Sequence, residues 1–160
     1  MNRQNLSNIF DYRGGELYWK INPAKNVFVG DIAGSYRRSN IYKYVGYKGK
    51  YYATHVLIFL LFNGYRPPQV DHIDGNPRNN KIENLRAASC CQNQYNAKLS
   101  VRSSSGVKNV RWVEARKKWE VRVSANKRRI IVGFFEALEL AELVAIEARD
   151  KYHGEFARHI

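Results

Sequence analysis

The segment VDHIDGNPRNNKIENLR, residues 70–86, restricts the fold more than any other part of the chain. It begins in a short β-prone run, PQVDHIDG, and passes into DGNPRNN, where turn formers follow one another. Glycine accepts positive φ, proline fixes its own φ, and asparagine and aspartate hydrogen-bond to their own backbone. No long helix or wide sheet can run through such a stretch. SCCQNQYNAK follows, with Ser89 and Gln92 spaced as a capping box for a helix. Asn93 and Asn96 then share one face of that helix at i, i+3. The expected local order is strand, tight turn, loop, helix. Asp71 and His72 come from the strand, on opposite faces where it is extended, and Asn93 comes from the first turns of the helix.

The flanks point to a small α+β fold. Residues 10–52 read as short strands and hairpins: YRGG is a turn, ELYWKI is β-prone, and further turns fall at Ser39-Asn40 and Lys48-Gly49. Residues 36–52 hold six tyrosines, five basic residues and no acid, a mixture suited to a phosphate backbone. THVLIFLLFNG reads as a helix with Thr54 as N-cap and Gly64 as its stop. His55, at its start, is expected to pack structurally beside the motif.

Charge divides the chain. Residues 1–98 carry 14 basic and 6 acidic residues, residues 99–133 carry 10 and 2, and residues 134–160 carry 3 and 6. The net charge of +13 suits a polyanionic partner, for which nucleic acid is the usual candidate. KLSVRSSSG, residues 98–106, is Ser-rich without apolar periodicity and reads as a linker. The expected division is 1–98, a linker at 99–106, and 107–160, with residues 1–99 able to cut DNA by themselves. The longest apolar run, residues 56–62, is too short to span a bilayer, so no membrane association is expected. Cys90 and Cys91 form neither a disulfide framework nor a CxxC metal knuckle, and read as reduced thiols of a cytoplasmic protein.

After the linker, three strands are expected at about 108–113, 118–124 and 128–133, with SANKR as the last turn. Trp119, Val121 and Val123 should face one way, and Glu120, Arg122 and Ser124 the other. Ile130 and Val132 should face inward, Arg129 and Ile131 outward. Residues 136–152 read as an amphipathic helix with Leu138, Ala141, Ala145 and Ala148 on its apolar stripe, ended by Gly154. A basic sheet backed by an acidic helix turns the sheet toward DNA, and β-ribbons fit the major groove.

Phosphodiester hydrolysis needs a base for the attacking water and a cation on the phosphate and leaving oxygen. A neutral imidazole suits the first task and hard oxygen donors suit the second. DHIDGN, the paired asparagines, ENLR and QNQYN together resemble the HNH endonucleases, the ββα-metal group, in their phage and intron homing type. The resemblance covers about residues 10–98. It implies His72 as the general base, Asp71 and Asn93 as ligands of one divalent cation (magnesium or manganese), and Asn84 as a brace that orients the His. It also implies Arg86 as a phosphate contact, with Asp74 best suited to the turn. With Asp71 the single certain anionic ligand, metal affinity without DNA is expected to be weak.

The C-terminal block resembles the ethylene-response-factor (apetala-two) DNA-binding domain through GV, KWEVRV, VGFFEALELAELV and YHGEFA. That resemblance implies DNA contacts from the sheet at Lys108, Arg122, Ser124, Arg129 and Ile131, with Arg111 and Trp112 beside them. Arg116, Lys117 and Lys118, near a turn, would meet phosphate. The chain is thus expected to be a monomeric, metal-dependent endonuclease that nicks or cuts double-stranded DNA, without a nucleotide cofactor, in the cytoplasm of a bacterial or phage-infected cell. The alternatives are a DNA-binding regulator or packaging accessory with a silent HNH site, and an RNA-binding module.

Overall fold

The computed structural model describes residues 2–38, 40–101 and 103–159 as a mixed α+β chain. It separates into two compact units, Met1–Ser89 and Cys90–Ile160. The expected turn at Ser39-Asn40 lies partly outside the described residues.

The first unit begins with α1 (Arg3–Ile9), capped by the Asn2 side chain, which accepts from the Asn5 amide at 2.9 Å. A hairpin of β1 (Phe10–Arg13) and β2 (Glu16–Trp19) follows. Gly15, at φ 99°, turns this hairpin against the loop of the motif: an added Cβ would lie 3.0 Å from the Lys81 nitrogen. Tyr12 fixes the same approach by accepting from the Ile82 amide through its hydroxyl. A second sheet joins β3 (Ser35–Tyr36), β4 (Lys43–Tyr47) and β5 (Lys50–Ala53) in that order. Lys48 and Gly49 both take positive φ in the tight turn between β4 and β5, as the sequence suggested.

Helix α2 (Thr54–Asn63) is apolar nearly all round and forms the centre of the core with Leu6, Phe10, Leu17, Trp19 and Val45. Gly64 ends it at φ 78°. The N-cap is Ala53 rather than Thr54, which lies inside the first turn, fully buried, with no partner for its hydroxyl among the described residues. The motif forms β6 (Gln69–His72) and β7 (Leu85–Ala88), antiparallel, with Asp71 opposite Arg86 and His72 opposite Leu85.

The second unit begins with α3 (Cys90–Tyr95), which starts at the residue after Ser89. Its sheet is a meander of β8 (Val110–Val113), β9 (Lys118–Ala125) and β10 (Arg128–Phe135), backed by α4 (Leu138–His153). Val110 and Val121 pack on Ala141 and Ala145. Asn126 and Lys127, both at positive φ, make the β9–β10 turn.

Three expectations for this unit change. Strand β8 starts at Val110 because Asn109, at φ 70°, breaks the extended run. Val132 is exposed rather than inward, because a bulge between Ile131 and Gly133 inserts it without a cross-strand partner. Glu120 is on the outer face as expected, yet it is buried beneath Arg111.

Tyr95, Ala97, Ser105 and Lys108 are also tied into this unit. The Lys108 ammonium donates to the Tyr95 and Ala97 carbonyls at 2.7 and 2.6 Å. The Tyr95 ring stacks on His153 at 4.0 Å, and its hydroxyl accepts from the Asn126 amide. Ser105 donates to the Val110 carbonyl at 2.7 Å. The bonds of Tyr95 and Ala97 thus join α3 and the residues after it to the sheet of the second unit.

Candidate functional site

His72 closes β6 just before the chain turns, and a bond from the Gly75 amide to the His72 carbonyl tightens that turn. Its Nε2 lies 2.9 Å from Oδ1 of Asn80, and both residues are buried. An amide oxygen accepts only, so this arrangement places the proton on Nε2 and the basic lone pair on Nδ1. The His55 ring stands 5.0 Å from the His72 ring, and Tyr42 lies 4.9 Å from His55 and 6.1 Å from His72. Burial first, and the neighbouring His72 second, push His55 down to about 4. His55 is therefore a neutral packing partner at pH 7, in keeping with the structural role read from the sequence.

Asp71 points to the other side of the strand. Its Oδ2 accepts from Arg86 Nε at 2.8 Å, with Asp71 5% exposed. The loop beneath is held by its own side chains. Asn84 donates to Asp74 Oδ1 at 2.9 Å and to the Asn79 carbonyl at 2.8 Å, and accepts from the Asp74 amide at 3.0 Å. Asn76 and Asn79 add further bonds to Asp74. Desolvation raises the Asp74 carboxyl, but the Asn76 amide, the Asn79 and Asn84 side chains and His72 together hold it below the ordinary value. Asn84 thus braces the loop, and Asp74 serves the turn. The contact that orients the His72 ring comes from Asn80. Its place in the NN pair of the motif was the available signal, with nothing local to set it above Asn84.

Asn93 lies on α3, in the second unit. Among the described residues no group of three or more His, Cys, Asp or Glu could hold a metal ion. Of the two expected donors, Asp71 is a carboxylate on the first unit and Asn93 a neutral amide on the second. Asp71 supplies a buried carboxylate, the donor type a hard divalent ion takes, and that carboxylate accepts from Arg86.

On the second unit, cross-strand pairing puts Arg111, Glu120, Arg122, Ser124, Arg129 and Ile131 on one face. Arg111 makes a two-pronged pair with Glu120 at 2.9 and 3.1 Å, and Arg122 approaches the same carboxylate at 3.7 Å. Ser124, Arg129 and Ile131 are exposed, and Arg129 enters no ion pair among the described residues. Lys108 is committed to the two carbonyls, and burial followed by the charges of Arg149 and Arg158 pushes it down to about 8. It nevertheless lines one cavity with Arg122, Ser124 and Arg129. Trp112 lies on the opposite side, edge-on to Trp119. Lys117 pairs with Glu114, Lys118 with Glu136 at 3.2 Å, and Arg116 covers the Phe134 ring.

Residues 52–95, which hold α2, the β6–β7 pair and α3, match the HNH endonuclease family model. The chain is also 36% identical over 108 residues to Protein 3.8 of Escherichia phage T7, covering 65% of this chain and 87% of that protein. It belongs to the same family as that phage protein. No solved structure matches it. Among the described residues, no helix is long and apolar enough to cross a membrane.

Proposed function

We propose that the protein is a divalent-metal-dependent DNA endonuclease of the homing HNH type, working as a monomer without a nucleotide cofactor in the cytoplasm of a phage-infected cell. The observation that carries this reading is His72, held by Asn80 at the end of β6, next to Asp71 within the HNH match. With Nε2 donating to Asn80, Nδ1 of His72 takes the proton of the attacking water. A positioned general base of this kind contributes about 10²–10⁴-fold. Asp71 and Asn93 would hold one magnesium or manganese ion. When bound, such an ion acts as a Lewis acid on the phosphate and stabilises the leaving oxygen. Asn84 keeps the loop below His72 in shape, and Arg86 is available to phosphate once it leaves Asp71.

We further assign the outer sheet face to site choice, with Arg122, Ser124, Arg129 and Ile131 toward DNA. This rests on its apetala-two-like pattern and its charge. Arg111 serves mainly to neutralise Glu120, and Lys108, bound to two carbonyls, lines the edge of this face beside Arg122 and Ser124.

The test is nicking of supercoiled plasmid in magnesium or manganese by wild type and by His72→Ala, together with DNA affinity. Cutting by wild type alone, at equal affinity, supports the reading. Binding without cutting by both proteins would make the protein a DNA-binding accessory.

A further inference from the structure

Arg86 stands directly across the strand pair from Asp71, so the register of β6 and β7 delivers it there. The guanidinium side chain is 15% exposed and the carboxylate 6%, with 2.8 Å between Nε and Oδ2. A pair so placed belongs to the fold; it is not a passing surface contact. It also occupies the one carboxylate that the nuclease reading gives to a divalent ion. Two cations sharing one carboxylate in a water-poor site repel each other. Arginine has a second suitable partner, since its planar fork matches phosphate as well as carboxylate.

We propose that Arg86 gates the metal site: in the DNA-free protein its guanidinium holds Asp71 in place of a metal ion, and a DNA phosphate draws it away. Metal and DNA then bind as coupled ligands, each raising the affinity of the other. The proposal rests on the nuclease reading, in which Asp71 is a ligand. It gives weak metal binding without DNA a cause beyond the small number of anionic donors. It also reconciles the two roles open to Arg86, partner of Asp71 and contact of phosphate, as successive states of one side chain.

The experiment is a Mn2+ titration of the full-length protein, read from the loss of the free-ion electron paramagnetic resonance signal. Without DNA, Arg86→Gln should bind Mn2+ about tenfold more tightly than wild type, within the usual range of such couplings. Lys81→Gln removes a charge from the same loop and should leave the affinity unchanged. A short DNA duplex, added in a His72→Ala background so that it survives, should tighten Mn2+ binding strongly when Arg86 is present and much less in Arg86→Gln. Equal or weaker Mn2+ binding by Arg86→Gln, with binding lost in Asp71→Asn, would overturn the gate and leave Asp71 a ligand. No Mn2+ binding by any of these proteins, with or without DNA, would overturn the nuclease reading and the gate together. Should Arg86→Gln fail to fold by circular dichroism, Arg86→Lys carries the test. It keeps the charge but loses the fork, so intermediate affinity supports the gate and wild-type affinity overturns it.

Discussion

At the end of β6, Asp71 and His72 are each 5% exposed and Asn80 2%, whereas on the outer face of β9 and β10 Ser124 and Arg129 are open and Ile131 is 56% exposed. Both sets of side chains project from short antiparallel strands. The difference lies in what surrounds them. Around His72 the ring is held by Asn80, and the histidine neighbour is kept neutral by burial. That suits a group that must hold one tautomer and one direction while a proton moves. On the sheet, charges are left available at Arg129 and partly balanced at Arg111 and Arg122 by Glu120. That suits a surface that must exchange water and counterions for a long partner. The same contrast separates preorganised chemistry from adaptable binding.

The largest expected effect tests whether the two regions can be separated at all. Because α3 is tied to His153, Asn126 and Lys108, a fragment ending at residue 99 leaves the helix without these contacts. Its plasmid nicking should fall to background. Full cutting by the fragment would mean that α3 holds its shape alone or that Asn93 is dispensable. His72→Ala should come next, losing about 10²–10⁴-fold in turnover while a gel-shift titration reports unchanged DNA affinity.

A pH series sharpens the contrast at a third level. His55 titrates near 4 in the folded unit against 6.5 in a model peptide, so the unfolded chain binds the extra proton first. The stability due to its neutral form is complete above about 6.5, declines as the pH falls, and is gone below about 4. The groups packed on it are Tyr42 and His72, and of these His72 adds to the same sign. The whole term amounts to roughly 3 kcal/mol. Thermal melts between pH 7 and pH 4 should show a steeper loss in wild type than in His55→Phe. His153, lowered chiefly by burial, gives the second unit a slope of the same sign.

The smallest effects concern the sheet. Arg129→Ala should cost about 1–3 kcal/mol on a cognate duplex if its guanidinium reads a guanine edge, and less on a scrambled one. Lys117→Ala should change little beyond the salt slope, since Lys117 already pairs with Glu114. Equal losses on both duplexes for Arg129→Ala, with a cognate-only loss for Lys117→Ala, would reverse the assignment of the face.

Much of the architecture was legible because it depends on local chemistry. The glycine stops at Gly64 and Gly154, the Lys48-Gly49 turn and the alanine stripe of α4 follow from φ preferences and helical period. The inward set Val121 and Val123 follows from strand alternation. What was hidden depended on tertiary contacts. Alternation could not foresee the bulge at Val132, nor that Arg111 would cover Glu120. Arg149 was missed because a charged residue on a helix reads as solvated, yet it is 1% exposed and donates to the Lys108 carbonyl at 2.7 Å. In the motif, Asp71 and His72 were readable as a pair. The roles of Asn80 and Tyr42 required the packing of the loop and of the residue before β4 around the histidine rings.

The sequential pairing of the strands bears on the order in which the protein is made. Among the described residues, hydrogen-bonded neighbours in every sheet are consecutive strands, so most contacts close over short lengths of chain and need no distant partner. Such low contact order favours fast folding, with hairpins forming in about 1–10 μs. The first unit can therefore take shape on the ribosome as it emerges. Helix α3 is different: it is too short to persist alone, and the side chains that hold Tyr95 are synthesised after it, the last at His153. Translation thus leaves the helix bearing Asn93 unsettled until His153 has emerged, which would delay the proposed DNA cutting until the segment proposed to choose its site is also folded.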